Sequence, residues 1–323
     1  EPVAALAVAA SLPDWLAARW LTELGPESAW QRGRAVNELP PLTIRVNTAV
    51  VSRETLVDIL RAEGVAAAPC RWSPWGLTIL SLPGSPLSLP SYQRGLWLFQ
   101  DEAAQLVTLL LQAAPGQKIL EIGAGRGGKT THLAQMLRGQ ETVLAVDNNG
   151  RRLTDLRQQL QRLQLVGVTL MQADATRPFL AAGPGCVDRV LIDAPCSGLG
   201  VLRRHPELKW RRQPEDIPRF AALQRQLLRQ AAPLLRPGGL LLYVTCTTTK
   251  EENEAVIRDF LKEQPMFTLL PSAVPPPEPA WRFIDQQGFF RTSPDDHDMD
   301  GFFGARLQRR PERASETVPN PLT

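Results

Sequence analysis

The chain has 323 residues, with 36 lysines and arginines against 33 aspartates and glutamates, a formal net charge of +3. A hydrophobic share of 43% and a charged share of 21% fit a globular chain long enough for two domains and exclude a charge-rich disordered segment. No apolar run reaches bilayer length and the start lacks a signal-peptide pattern. Cys70, Cys186, Cys196 and Cys246 fit neither a disulfide framework nor a zinc pattern, so a metal-free cytoplasmic protein is expected. The chain begins at Glu1 rather than Met, as one that has lost an upstream segment would.

In chain order, Leu12–Leu24 has helical apolar spacing with Trp15, Leu16 and Trp20 on one side. Leu42–Asn47 alternates like a strand, and Arg53–Ala62 reads as a helix capped by Ser52. Leu77–Leu80 is a short strand, and Asp101–Ala113 a helix leading into the next unit. From Gln117 strands and helices alternate, the pattern of a parallel sheet with crossover helices. The strands are Lys118–Ile122, Thr142–Val146, Val168–Met171, Asp188–Ile192 and Leu240–Val244, with a last strand over Gly301–Leu307. The helices are Lys129–Leu137, Arg151–Leu163, Ile217–Leu235 and Glu251–Lys262. This divides the chain into a small α+β module (1–95), an α/β domain (96–308) and a disordered tail (309–323).

The segment Glu121-Ile122-Gly123-Ala124-Gly125-Arg126-Gly127-Gly128-Lys129 follows a strand and opens a helix. Its glycines allow close backbone approach, and the helix N-terminus favours an anion, either a dinucleotide pyrophosphate or the carboxylate of a methyl donor. Asp147 ends the second strand, where a carboxylate accepts ribose hydroxyls; Asp174 follows the third, facing the adenine edge; Asp193 ends the fourth. Arg152, in the helix after Asp147, joins these cofactor candidates.

Asp193-Ala194-Pro195-Cys196-Ser197-Gly198 places an acid and a thiol just past one strand, and Thr245-Cys246-Thr247 places a second thiol at the end of another. In a parallel sheet both strand ends face one crevice. Two thiols and an acid beside a cofactor turn make a nucleophilic site. Nothing chemical surrounds Cys70 or Cys186.

These segments resemble the Fmu/Sun group of RNA cytosine-5 methyltransferases, whose bacterial members modify small-subunit ribosomal RNA. The resemblance rests on Gly127–His132, Asp193–Gly198, Arg203-Arg204-His205-Pro206, Lys209-Trp210, Thr245-Cys246, Glu251-Glu252-Asn253, Gly301–Phe303, Arg45-Val46-Asn47 and Gln100-Asp101. It implies a class I, Rossmann-like S-adenosylmethionine methyltransferase domain with a seven-stranded, mainly parallel sheet, preceded by an RNA-recognition module. The family usually has Cys-Ala-Ala-Pro-Gly-Gly-Lys in the cofactor turn; here Arg126 stands where proline is expected. Members often carry a further N-terminal helical RNA-binding domain, not visible in this sequence.

By the resemblance, Cys246 is the nucleophile, Cys196 helps release the product, Asp193 holds the base near N3, and Lys129 completes the catalytic set. A Pro-Cys pair is also the nucleophile motif of DNA cytosine-5 methyltransferases, which would select Cys196 instead. Arg203, Arg204, His205, Lys209, Trp210 and Arg211 follow the Pro-Cys loop and suit RNA phosphates and a splayed base. The expected partner is ribosomal RNA, at an unpaired cytosine, and the expected state a monomer. The alternatives are transfer RNA as substrate, a catalytically idle RNA-binding or ribosome-assembly factor, and a Rossmann oxidoreductase.

Overall fold

The structure, a computed structural model, describes residues 1–139, 143–181 and 183–311. Thr142, expected to open a strand, and the tail from residue 312 lie outside the described residues. Strands β1 (Leu42–Val46), β2 (Ala66–Pro69), β3 (Gly76–Ser81) and β4 (Trp97–Phe99) form an antiparallel sheet ordered β2-β3-β1-β4. Side chains alternate across β1. Ile44 and Val46 pack with Leu56 and Leu60 of helix Arg53–Ala62, whose first turn is capped where Thr55 N–H donates to Ser52 Oγ at 3.1 Å. Arg45 takes the opposite face and is buried against the larger domain. The fourth strand of this sheet lies past the boundary expected at residue 95.

The larger sheet contains β5 (Ile119–Ile122), β6 (Val143–Asp147), β7 (Val168–Gln172), β8 (Val187–Asp193), β9 (Leu235–Thr245), β10 (Phe267–Leu269), β11 (Phe289–Arg291) and β12 (Phe303–Arg309). Seven of these run in the order β10-β12-β9-β8-β5-β6-β7, with β11 pairing alongside β12. The stretch from β9 to β7 is parallel, and β12 is antiparallel to its three neighbours. The chain winds outward from β5 through β6 to β7, then returns to β8. The strand order therefore reverses between β5 and β8, and a crevice opens above their carboxyl ends.

Both faces of this sheet are covered. Val190, Ile192, Leu241 and Tyr243 pack on helices Asp216–Ala231 and Glu254–Glu263, while Leu191, Leu242 and Val244 pack on helices Glu102–Leu109 and Gly128–Leu137. Each fully buried aliphatic side chain here contributes roughly 1.5–3 kcal/mol.

Several boundaries differ from the sequence reading. The helix expected to run to Leu235 ends at Ala231, because Pro233 removes a donor and Leu235 already starts β9. The helix expected from Glu251 starts at Glu254, since the side chains of Glu252 and Asn253 turn back into the loops after β8 and β9. Arg309 belongs to β12 and pairs with Phe267, so it is not the start of a disordered tail. Helices Pro2–Ala10 and Pro26–Ala35, unseen in the sequence, join Asp14–Leu24 in a three-helix lead. Its Leu6, Leu16 and Trp20 pack on Leu199, Leu202 and Ile217 of the larger domain, apart from the core of the small sheet.

Candidate active site

The glycine turn leaves β5 with Gly123 at φ +83° and reaches the helix through Gly127 at φ +88°. A Cβ on Gly123 would lie 2.2 Å from the Asp193 carbonyl, and one on Gly127 would lie 2.1 Å from Leu156 Cδ1. Only glycine lets the turn lie this close to β8 and to the helix Gly150–Arg162 that carries Leu156. Asp147 fixes the turn from the next strand, accepting from Gly125 N–H and Asn149 N–H, both at 2.8 Å.

Below the turn, Gly123, Asp147, Arg152, Asp174 and Asp193 line one cleft with Asn148, Thr176, Pro195, Leu223 and Leu227, the last five not singled out from the sequence. Hydrogen bonds from Thr176 hold the Asp174 carboxylate below its ordinary pKa. Ala124, Gly125, Gly127, Gly128 and Lys129 shape the turn above the cleft. Arg126 points outward instead, its exposed side chain paired with Asp155 at 3.1 Å.

The two thiols meet. Cys196 Sγ lies 3.3 Å from Cys246 Sγ, Cys196 buried and Cys246 half-buried. The hydrogen bond with Cys246, burial and nearby negative charge push the Cys196 thiol well above its ordinary pKa. The loops that carry them are cross-tied: Ala194 N–H donates to Val244 O, Gly200 N–H to Cys246 O, and the hydroxyls of Ser197 and Thr247 share a 2.7 Å hydrogen bond. A Cβ on Gly200 would strike the Gly301 carbonyl at 2.0 Å, so Gly301 and Phe302 close down beside the thiols.

Lys129 Nζ donates to Asp193 Oδ2 at 2.7 Å and lies 5.1 Å from the centre of the Phe302 ring. Beneath this pair sits Glu121, fully buried, with neither carboxylate oxygen hydrogen-bonded. Burial pushes it up to about 8, the nearby Thr130 hydroxyl lowers it by less, and the charges of Asp193 and Lys129 act in opposite directions. The sequence reading quoted Glu121 at the head of the glycine-turn segment but gave it no role, because an acid in a buried strand carries no chemical pattern of its own.

A model of the family 16S rRNA methyltransferase RsmB/F matches residues 108–308, and one of its ferredoxin-like domain matches residues 12–83. This chain belongs to the RsmB/F methyltransferase family. It is 34% identical over 299 residues to the probable ribosomal RNA small subunit methyltransferase B of Synechocystis sp., covering 93% of this chain and 67% of that protein. It is 41% identical over 256 residues to the ribosomal RNA small subunit methyltransferase B of Pseudomonas putida, covering 78% and 57%. The crystal structure of PH0851 superposes with a TM-score of 0.87 at 32% identity, over 96% of this chain and 68% of that one. The chain therefore spans 57% and 67% of the length of the two named relatives. The resemblance drawn from its motifs and the class I fold both follow from this membership.

In this RsmB/F chain, three of the six residues expected to meet RNA turn inward. Arg203 pairs with Asp298 at 2.7 Å, and Arg204 bridges Asp300 and Asp101, each at 2.7 Å. Lys209 is buried, its ammonium donating to Asn37 Oδ1. Lys209 and Arg204, which also donates to the Pro41 carbonyl at 3.1 Å, hold the chain before β1 against the segment after the Pro-Cys loop. His205, Trp210 and Arg211 stay exposed, Trp210 at 58%.

The small sheet reaches the cofactor turn directly. Arg45 donates to Gln100, to the Gly128 carbonyl at 2.7 Å and to Thr131 Oγ1 at 2.8 Å; Gln100 also donates to the Gly128 carbonyl, at 3.1 Å. Burial lowers the Arg45 guanidinium to about 9. Asn47, one residue past the end of β1, donates to Gly95 O and Leu163 O. These residues were recognised as motif pieces, but only the fold gives them partners.

Proposed function

We propose that this chain carries out S-adenosylmethionine-dependent methylation of carbon 5 of a cytosine in small-subunit ribosomal RNA, with Cys246 as nucleophile. The observation that carries this reading is the contact between Cys246 and Cys196, 3.3 Å apart at the same strand ends that hold the Lys129–Asp193 pair. The cleft suits the cofactor: Gly123 has no room for a side chain, and Asp147 and Asp174 are acceptors for ribose and adenine donors. Arg152 lies on the same lining as a cation for a carboxylate. S-adenosylmethionine supplies an electrophilic methyl group on a sulfonium.

Carbon 5 of cytosine is a weak nucleophile. The Cys246 thiolate adds to carbon 6, moving the ring's electron pair to carbon 5, which then takes the methyl group. Asp193, fixed by Lys129, bonds the base near N3 as charge develops there. The carbon 5 proton passes to water, the electrons of that C–H bond restore the double bond, and the C6–S bond breaks with its electron pair returning to Cys246. The S–H of Cys196, in contact with that sulfur, steadies it as it departs.

His205, Trp210 and Arg211 are the residues left to meet RNA beside this site, by charge and stacking. The small sheet, up to about residue 100, serves as the recognition module. The reaction is assigned to the cytoplasm, where thiols stay reduced. Among the described residues no helix is long and apolar enough to cross a membrane.

Transfer from labelled S-adenosylmethionine to total RNA tests the reading. Cys246→Ala abolishes transfer, and Cys196→Ala accumulates a covalent RNA–protein adduct. A dead Cys196→Ala with an active Cys246→Ala reverses the two roles. Label confined to transfer RNA replaces the substrate, and no transfer by the wild type removes the enzymatic reading from this chain.

A further inference from the structure

One buried carboxylate joins the two cysteine loops. Glu252 is fully buried and follows Cys246 by six positions, just before the helix that begins at Glu254. Its Oε2 accepts from Ser197 N–H at 2.8 Å, the amide directly after Cys196, and from Gln224 Nε2 at 3.0 Å. Its Oε1 accepts from the Thr249 hydroxyl at 2.9 Å, three residues past Cys246. Gln224 also donates to the Pro195 carbonyl at 3.0 Å, so the same cluster grips the residue on the other side of Cys196. Asn253 completes it, donating to Thr247 O at 3.0 Å and accepting from Thr245 Oγ1 at 2.6 Å.

We propose that Glu252 is a positioning residue for the methyl transfer: it holds the two cysteine loops at their working separation and sets its charge on the Cys196 side, so that Cys246 is the thiol free to attack. The proposal rests on the reading of Cys246 as nucleophile. Burial is the largest effect on Glu252 and raises its pKa above the ordinary carboxylate value; the three donors that converge on it act the other way and favour its charged form. A negative charge beside Cys196 opposes a second one there. The other ionisable groups acting with Cys196 are Cys246 and the buried phenol of Tyr243 from β9; further out, Arg212 donates to Ser197 O at 2.7 Å and Arg225 acts on Tyr243 from the neighbouring helix. Two sulfurs in contact cannot both ionise readily. A fixed charge on one side therefore decides which keeps the proton, and Cys246 is also the more exposed of the two.

The test alkylates the full chain with iodoacetamide across a pH series and reads each thiol by mass spectrometry, alongside methyl transfer. In the wild type Cys246 reacts first and Cys196 only at higher pH. Glu252→Gln keeps the shape without the charge: its amide oxygen can still accept from Ser197 N–H and Gln224, while its NH2 donates to the Thr249 hydroxyl, reversing that one bond. It brings the Cys196 profile down by about one pH unit, narrowing the preference for Cys246 about tenfold. Glu252→Asp keeps the charge on a shorter arm, so the order of labelling holds while kcat falls and KM for RNA does not change. Unaltered profiles in Glu252→Gln, or the same shift in both variants, overturn the proposal. If Glu252→Gln does not fold, Glu252→Asp decides alone: retained order with slowed transfer supports the assignment, and Cys196 freed as readily as Cys246 overturns it. If Cys196 reacts first in the wild type, the nucleophile assignment fails, and the shift in Glu252→Gln still reports on Glu252.

Discussion

Lys209 donates to Asn37 Oδ1 at 2.6 Å and to the Ala10 carbonyl at 3.3 Å, joining the segment after the catalytic loop to the helical lead. A lysine beside a Pro-Cys loop reads as a phosphate contact, yet this ammonium is buried and has protein partners. Lys209→Met is expected to lower stability by about 2 kcal/mol, the order of a hydrogen bond to a charged group. Denaturant unfolding checks this. The salt dependence of RNA binding should not change, and a shallower salt slope at unaltered stability would return Lys209 to the RNA surface.

Trp210 and Arg211, the neighbours of Lys209 that stay exposed, should behave in the opposite way. Trp210→Ala is expected to weaken RNA binding by about 1–3 kcal/mol with no change in melting temperature. Arg211→Ala should reduce the slope of log affinity against log salt by about one. Filter binding at several salt concentrations, with melting curves, separates these from structural effects.

Gly123→Ala sets a methyl group 2.2 Å from the carbonyl of Asp193, at a φ that L side chains rarely adopt. Either the turn or the end of β8 must move, and both border the cleft proposed for the cofactor. Affinity for S-adenosylmethionine, read by titration calorimetry, should fall at least about tenfold. Gly84→Ala is the matched control, since nothing lies within 4 Å of its added Cβ. Equal affinity in the two variants would show that the turn is not held against β8 as described.

Glu121 makes stability depend on pH in a definite direction. Burial raises its folded pKa to about 8 from an ordinary 4.5, so between these values the native state keeps a proton that the unfolded chain releases. Stability from this group is greatest below the lower value and falls as pH rises towards the upper one. Glu121→Gln should remove that dependence, so that its stability relative to wild type grows across the interval by an amount on the order of a few kcal/mol. His132, buried without a hydrogen-bond partner and held well below its ordinary pKa by burial, acts the other way: its contribution is lost as pH falls below 6.5. Comparing the two chains at each pH cancels the His132 contribution. A difference that stays constant from acid to neutral pH would mean that Glu121 is ionised in the fold.

Local signals fixed what the sequence by itself determined. Ser52 announced the helix it caps, the glycines of 123–128 announced a turn that a Cβ would block, and alternating strands and helices announced a parallel sheet with Asp147, Asp193 and Cys246 at or beside its strand ends. Those features depend on a residue and its near neighbours, so periodicity and residue type suffice to read them.

The tertiary structure alone decided where long side chains end. Arg204 reaches Asp101 across 103 residues of chain, Lys209 reaches Asn37 across 172, and Glu252 closes on Ser197 across 55. Whether a cation faces RNA or an aspartate, and whether a glutamate starts a helix or ties two thiol loops together, depends on partners that no local pattern encodes. The cost of burying a charge without a partner then leaves each of these side chains only the arrangement in which a distant segment supplies one.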